Sequence, residues 1–562
     1  MIKVPPTGPC PARIMIVGEA PGADEVKAMQ PFVGASGREL DKMLSEAGII
    51  RADCFITNVC KRRPPANDIT NFLLSTKAKG RIAGYPERFG LFMSPEIVEG
   101  LLELQKEIKA CKPNVIIALG NTPLWALTGQ RGIGTWRGSL MQSLPEYGSV
   151  KVIPVYHPAA ILRMWAWRAV AVNDLRRAES QAHNPLMPVV ERNFYIRPSF
   201  EETMSHLREM LRRCEIAPTP LAVDIETIGQ RHISCIGIAW SHMDALCIPF
   251  TCEASDEGYW SLEEETQILF TLKDLLEHPN CQCIGQNFHY DCQYMIRNWG
   301  IWPNTFFDTM WAHHLCWPGT PKSLDYIASM YCVNYTFWKE ESKGKNPNAT
   351  EEEDWIYNCK DCVATFECFE NLSQSIEKLG LQQPWQIQMS LFNPILKMML
   401  RGVRINMKIK GSFALELLEA IAPREQFLLD CIGEYVGVKK PTKNTAQWFK
   451  SPKQIAALFY DEMQLPVQKH KKTHKPTTDD EALRKLELKE VLVAPLTDAI
   501  TELRSLYVFL NNFIETGIDH DNRLRCSFKV AGTETFRLAS SEDVFGFGTN
   551  LQNIPSGNEE QD

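Results

Sequence analysis

Short apolar runs alternate with amphipathic stretches up to about residue 380, and longer helical patterns follow. Residues 13–17 (Arg-Ile-Met-Ile-Val) read as a buried strand that runs into the turn sequence Gly18–Gly22. Leu40, Met43, Leu44 and Ala47 then recur at helical spacing, and Gly48 closes the stripe. Strand-like runs return at Cys54–Thr57, Asn114–Leu119 and Lys151–Val155, with helical patterns between them. This alternation predicts an α/β domain with a largely parallel sheet. Ligands of such sheets bind beyond the carboxyl ends of the strands. Gly18–Gly22, Pro31–Gly34, Thr57–Val59 and Tyr156–Ala160 lie there. Residues 180–198, with Pro185 and Pro188 and little periodicity, read as a linker.

The next strand carries candidate chemistry. Leu221-Ala222-Val223 runs straight into Asp224-Ile225-Glu226. Side chains at i and i+2 of a strand share a face, so both acids point the same way. Side-by-side carboxylates repel unless a cation sits between them, and a divalent metal is the usual answer. The plain alternative is an edge strand with solvated acids; the apolar run before Asp224 speaks against it. Ile233–Trp240 and Ala245–Phe250 read as strands paired with the first. Gly285–Asp291 follows a short apolar stretch and leads into a helical pattern. The polar segment Gly344–Asp354 reads as a loop ahead of a helix on which Tyr357 and Asp361, four apart, share a face.

A chain of 562 residues implies about three domains. The formal net charge of −8 does not advertise a nucleic-acid binder, but contact with nucleic acid depends on local field. The eighteen cysteines are scattered and read as free thiols of a reducing compartment. The start lacks the apolar core of a signal peptide, and no apolar run approaches membrane-spanning length. A cytoplasmic protein without membrane contact is expected.

Asp224-x-Glu226, Asn287-x3-Asp291 and Tyr357-x3-Asp361, in that order, resemble the three acidic motifs of the 3′–5′ exonuclease domain of family A DNA polymerases. Phe307–Met310 and Lys322–Tyr326 resemble its intervening segments. The resemblance implies a ribonuclease-H-like domain over residues 193–380 that hydrolyses single-stranded 3′ ends. Asp224, Glu226 and Asp361 would bind two divalent metals (Mg²⁺ or Mn²⁺), with Asp291 holding the second, and Tyr357 would orient the attacking water.

The first part, residues 1–182, resembles the family 4 (iron–sulfur) uracil-DNA glycosylases, in a parallel-sheet sandwich. Gly18–Gly22 with Glu25, then Phe32, Asn58, Arg63–Asn67 and His157-Pro158 follow the family order. The resemblance implies binding of uracil-containing DNA. Phe32 would stack on the flipped base, Asn58 and Asn67 would bind it, and His157 would steady charge on it as it departs. Glu25 or Glu19 would position the water. Cys10 lacks a Cys-x2-Cys partner, and Arg62 and Ser94 stand at expected ligand positions, so no iron–sulfur cluster is expected. Uracil recognition without excision is the alternative.

Residues 381–562 resemble the start of a family A polymerase domain, a mainly helical thumb and the beginning of the palm. Ser451–Ile455, Thr477–Glu481 and the Thr533–Ser541 element, with Phe536 in the place of the family's glycine, carry this. Lys439, Lys440, Lys443, Lys471, Lys472 and Arg537 are the expected contacts to primer-template phosphates. The family's palm aspartates do not occur up to Asp562, so synthesis is not expected from this chain alone; it resembles the front part of a polymerase, whether a fragment, an incomplete reading frame or a split gene whose second polypeptide carries palm and fingers. The whole resemblance implies a phage-type DNA replication protein of the host cytoplasm.

Overall fold

The computed structural model of the protein describes residues 2–75, 84–255, 258–340, 350–433, 445–471 and 473–554. They fall into two compact units, Met1–Phe392 and Asn393–Asp562.

The first unit holds two main sheets. The earlier one runs in the order Cys54–Asn58, Ile14–Gly18, Val115–Leu119, Lys151–Val155, Met141–Gln142. Its first four strands are parallel and the short last one antiparallel. The four parallel strands are buried from end to end, which is why they read as unbroken runs rather than alternating ones. Helices cover both faces. Leu40, Leu44 and Leu175 pack on Ile16 and Ile117 of one face, and Leu104 and Ile108 on Met15 and Val17 of the other. The shared strand direction brings Gly18, Asn58, Gly120 and Tyr156-His157 to one edge. The long segment after Asn67 contributes a three-stranded antiparallel sheet of Leu73–Ser75, Leu91–Met93 and Glu87–Arg88.

The later sheet is mixed, in the order Thr305–Asp308, Cys281–Gly285, Thr219–Ile228, His232–Ala239, Asp244–Pro249, Asn193–Tyr195. Its last strand lies within the expected linker. Three residues of alternating exposure leave no apolar run to read, and pairing with Asp244–Leu246 defines the strand. Residues 351–354, expected as loop, open the helix Glu351–Lys378 instead. Thr350 and Glu353 form a reciprocal cap, and four acids in the first turn favour the positive helix end.

The two sheet domains are packed together. Tyr326 and Met330 lie on the first core, and Trp136 lies on the second. The guanidinium of Arg137, 1% exposed, is paired with Asp174 and donates to Ser329 Oγ at 2.7 Å. The helix Gln382–Ser390 also packs on the second core, with the Trp385 and Phe307 rings 4.6 Å apart.

The second unit is mainly helical. Met407–Ile432 and Ala494–Phe509 pack around Leu417, Leu428, Trp448, Ile500 and Leu503. Phe536, at φ 59°, takes a left-handed conformation, the one that favours the glycine expected at this position.

Candidate active sites

The acids of the second domain are assembled by one strand and one helix. In the Thr219–Ile228 strand, Asp224 faces Gly237 and Glu226 faces Cys235 of the neighbouring strand. A β-carbon at Gly237 would collide with Asn358 Oδ1 and Cys362 Sγ, so glycine lets the helix Glu351–Lys378 settle on the sheet. That seat brings Asp361 to the strand. Carboxylate oxygens of Asp224, Glu226 and Asp361 lie within 4.8 Å of one another. Asn358 Nδ2 donates to the Asp224 carboxylate at 2.9 Å and to its backbone carbonyl at 3.2 Å.

Such a cluster cannot ionise freely. Burial, and then the charge of Asp361, raises Asp224 to about 7. Burial and Asp224 together hold Glu226 well above the usual carboxylate range. An oxygen-only donor set that resists its own charge fits a hard divalent cation. An internal cation already touches it: Lys339 forms an ion pair with Asp361 and donates to the Tyr357 hydroxyl at 2.8 Å. Trp338 Nε1 donates to the other Asp361 oxygen at 2.6 Å.

Asp291 stands apart from the three. It is buried, and its Oδ1 accepts the Ile225 N–H at 3.0 Å, bracing the strand between the two acids. Burial and the charge of Asp224 raise its pKa. Asp308 accepts from the N–H groups of Phe288 at 2.8 Å and Trp311 at 3.1 Å, and so fixes the turn that leads to Asp291. Asn358, Trp338, Lys339 and Gly237 escaped the sequence reading. Asn358, between Tyr357 and Asp361, was within reach of helical spacing; the others carry no signal before the fold is known.

At the carboxyl edge of the first sheet lies a cavity of about 920 Å³ lined by Glu19, Glu25, Phe32, Asn67, His157 and Arg163, among others. Phe32 is 4% exposed, and its ring centroid lies 5.9 Å from that of His157. The Phe32 ring and the buried Asn58 amide meet over Gly18, where a β-carbon would collide with both. Glu25 accepts the N–H groups of Gly22 and Phe32, holding Phe32 in its left-handed conformation. Its carboxylate is thus engaged with the backbone. Glu19 accepts from Thr122 Oγ1 at 2.6 Å. His157 Nδ1 accepts the Ala159 N–H at 3.1 Å, so the neutral ring carries its proton on Nε2. Burial, helped by Arg163, lowers its pKa to about 4.

At the positions expected to hold a cluster, Arg62 pairs with Glu99 at 3.3 Å and Ser94 Oγ donates to Glu96 at 2.7 Å. Neither offers a thiolate, and this donor set does not fit an iron–sulfur cluster. Ion pairs tie the N-terminal segment and the loop after Asn58 to the helix Pro95–Cys111. Lys3 reaches Glu99 at 2.6 Å and Glu103 at 2.5 Å. The buried Lys61 reaches Glu107 at 2.7 Å and the Asn58 carbonyl at 2.8 Å. Glu99, Glu103 and Glu107 recur every fourth residue, one face of that helix.

Of the expected phosphate contacts, Lys439, Lys440, Lys443 and Lys472 lie outside the described residues. Lys471 pairs with Glu481 at 2.9 Å, and Arg537 is exposed.

Comparison with known proteins gives three matching families: the uracil DNA glycosylase superfamily over residues 5–176, the 3′-5′ exonuclease over 198–377, and DNA polymerase family A over 438–562. The type-4 uracil-DNA glycosylase of Pyrobaculum aerophilum is 38% identical over 177 residues, which cover 31% of this chain and 79% of that protein. That of Archaeoglobus fulgidus is 36% identical over 166 residues, 28% of this chain and 71% of that one. The DNA polymerase of Bacillus phage SP01 is 22% identical over 611 residues, which take in 94% of this chain; the chain spans 62% of that polymerase's length. By its first domain the chain belongs to the uracil-DNA glycosylase superfamily, and that domain is fused to 3′–5′ exonuclease and family A DNA polymerase domains.

Proposed function

We propose that this is a DNA replication protein that trims single-stranded 3′ ends in its second domain and removes uracil in its first. The domains are taken as residues 1–182, 193–392 and 393–562, the helix Gln382–Ser390 going with the exonuclease on its packing. The observation that carries the nuclease reading is the convergence of Asp224, Glu226 and Asp361 within 4.8 Å.

Mg²⁺ or Mn²⁺ held by these acids would supply an activated water and stabilise the leaving oxygen. The chain's own groups do the positioning. Asn358 fixes the Asp224 carboxylate, Asp291 braces the strand, and the Tyr357 hydroxyl orients the water. The water oxygen bonds to phosphorus, the bond from phosphorus to the 3′ oxygen breaks, and the water's proton ends on that oxygen. A nucleoside 5′-monophosphate leaves. Asp224→Ala with Glu226→Ala should abolish degradation of a 3′-labelled single strand; degradation at the wild-type rate refutes the assignment.

In the first domain Phe32 offers a face to the flipped base, while Asn58 and Asn67 read its edge. The neutral His157 donates from Nε2 to the departing base as negative charge builds on it. Glu19 positions the water that takes the base's place at C1′ as the glycosidic bond breaks. A second reading, recognition without excision, is favoured by the engagement of Glu25 with Gly22 and Phe32. Alkali-dependent cleavage of a single-uracil oligonucleotide decides between them: uracil-dependent binding without cleavage selects the reader.

A further inference from the structure

Lys339 reaches the exonuclease acids from a segment that the first domain holds in place. After the helix Leu324–Tyr331, the chain crosses the edge of the first domain. Leu140 N–H donates to the Tyr335 carbonyl at 2.7 Å, and Thr336 Oγ1 donates back to the Leu140 carbonyl at 2.9 Å. The Phe337 N–H donates to Ser139 Oγ at 3.2 Å, and the Phe337 ring meets Trp136 edge-on at 5.1 Å. Arg177 donates to the Cys332 carbonyl at 2.7 Å. The next two residues, Trp338 and Lys339, are the ones that take both oxygens of Asp361. The ammonium also lies 4.8 Å from the Tyr357 ring centroid. Lys339 is 16% and Asp361 7% exposed in their side chains, so water screens this pair little.

We propose that Lys339 is a built-in counter-ion that competes with divalent metal for Asp361, and that the first domain sets the strength of this competition by anchoring Tyr335–Phe337. The inference rests on the metal reading of the acidic cluster. With Lys339 in place, one ligand and the Tyr357 hydroxyl are engaged by a cation that cannot act as a Lewis acid on a bound water. Metal binding must therefore displace the ammonium, and the apparent affinity is reduced by the fraction of molecules in which it is bound. The arrangement gives Asp361 a counter-ion while metal is absent.

The test is Mn²⁺ binding to the full chain, followed by the electron paramagnetic resonance signal of free Mn²⁺, without DNA. Lys339→Met should bind Mn²⁺ on the order of tenfold more tightly than wild type. Trp136→Ala, which loosens the anchor from the first domain without touching an acid, should shift affinity the same way by a smaller factor. Asp224→Ala with Glu226→Ala serves as the reference. If that double variant binds Mn²⁺ as wild type does, the metal reading itself fails. If it loses binding while Lys339→Met is unchanged or binds more weakly, the metal site stands and the counter-ion proposal is overturned. If Lys339→Met tightens binding and Trp136→Ala does not, the role given to the first domain is overturned.

Discussion

The two sites of the first unit handle charge in opposite ways. The first-domain pocket, though Glu19, Glu25 and Arg163 line it, sets uncharged groups at its centre: its histidine is held uncharged by burial, its amide is buried, and its aromatic face is fixed by backbone hydrogen bonds. The histidine, the amide and the aromatic face are held in place by the fold itself. The acidic cluster of the second domain holds Asp224 and Glu226 above the usual carboxylate range, by burial first and neighbouring charge second, and sets a lysine against Asp361. On the proposed reading, the first relies on preorganised donors and the second leaves its central charge to be supplied by a metal. Two DNA chemistries packed side by side should therefore respond differently to the same perturbations.

The largest separation should come from removing metal ligands. Asp224→Ala with Glu226→Ala, or excess chelator on wild type, should bring 3′-end degradation to background while leaving uracil processing unchanged. Equal loss of both activities in chelator would erase the contrast. His157→Ala should do the converse. Loss of one donor to a developing anion costs about 10²–10³ in rate, so uracil release should fall by that factor, with uracil-DNA binding and 3′-end degradation near wild type. The measurement is single-turnover base release beside a binding isotherm. Phe32→Ala should act on binding instead. Base–aromatic stacking is worth roughly 1–3 kcal/mol, and the uracil-dependent part of affinity should weaken accordingly. An unchanged isotherm would remove Phe32 from the pocket's working face.

The same contrast explains what the sequence could show. Asp224 and Glu226 were legible because a strand's period of two fixes their common face, and Tyr357 with Asp361 because a helix turn does the same. Four parallel strands were legible because burial on both faces leaves unbroken apolar runs. Lys339 was not, since its partner lies on another element, and the segment that carries it is shaped by Ser139 and Leu140 nearly two hundred residues earlier. The Asn193–Tyr195 strand was hidden for a related reason: its pairing, not its own pattern, defines it. Gly237 looks like any strand glycine until the helix that leans on it is known.

The smallest effect expected is on stability, and it tests the electrostatic contrast without any substrate. Asp224 has a raised pKa in the metal-free folded chain, about 7, against about 3.9 when unfolded. Below the unfolded value the group is protonated in both states. As pH rises toward 7, the native state keeps a proton that the unfolded state has released, and its stability is progressively lost. His157 runs the other way. Its folded pKa of about 4 lies below the unfolded value of about 6.5, so its contribution is complete above the unfolded pKa and is lost as pH falls through the folded one. The curve of the whole protein mixes both, and the difference between wild type and Asp224→Asn isolates the acid. Without metal, Asp224→Asn should gain on wild type as pH rises from 5 to 8. A gain of about 1 kcal/mol would move the unfolding midpoint by roughly 2–4 °C for a domain of this size. Adding Mn²⁺ should reverse the order at pH 8, because only the ionised wild-type carboxylate holds the metal. Parallel curves for the two proteins in chelator, from pH 5 to 8, would mean that neither burial nor the neighbouring acids hold a proton on Asp224, and the picture of a site awaiting its charge would fail.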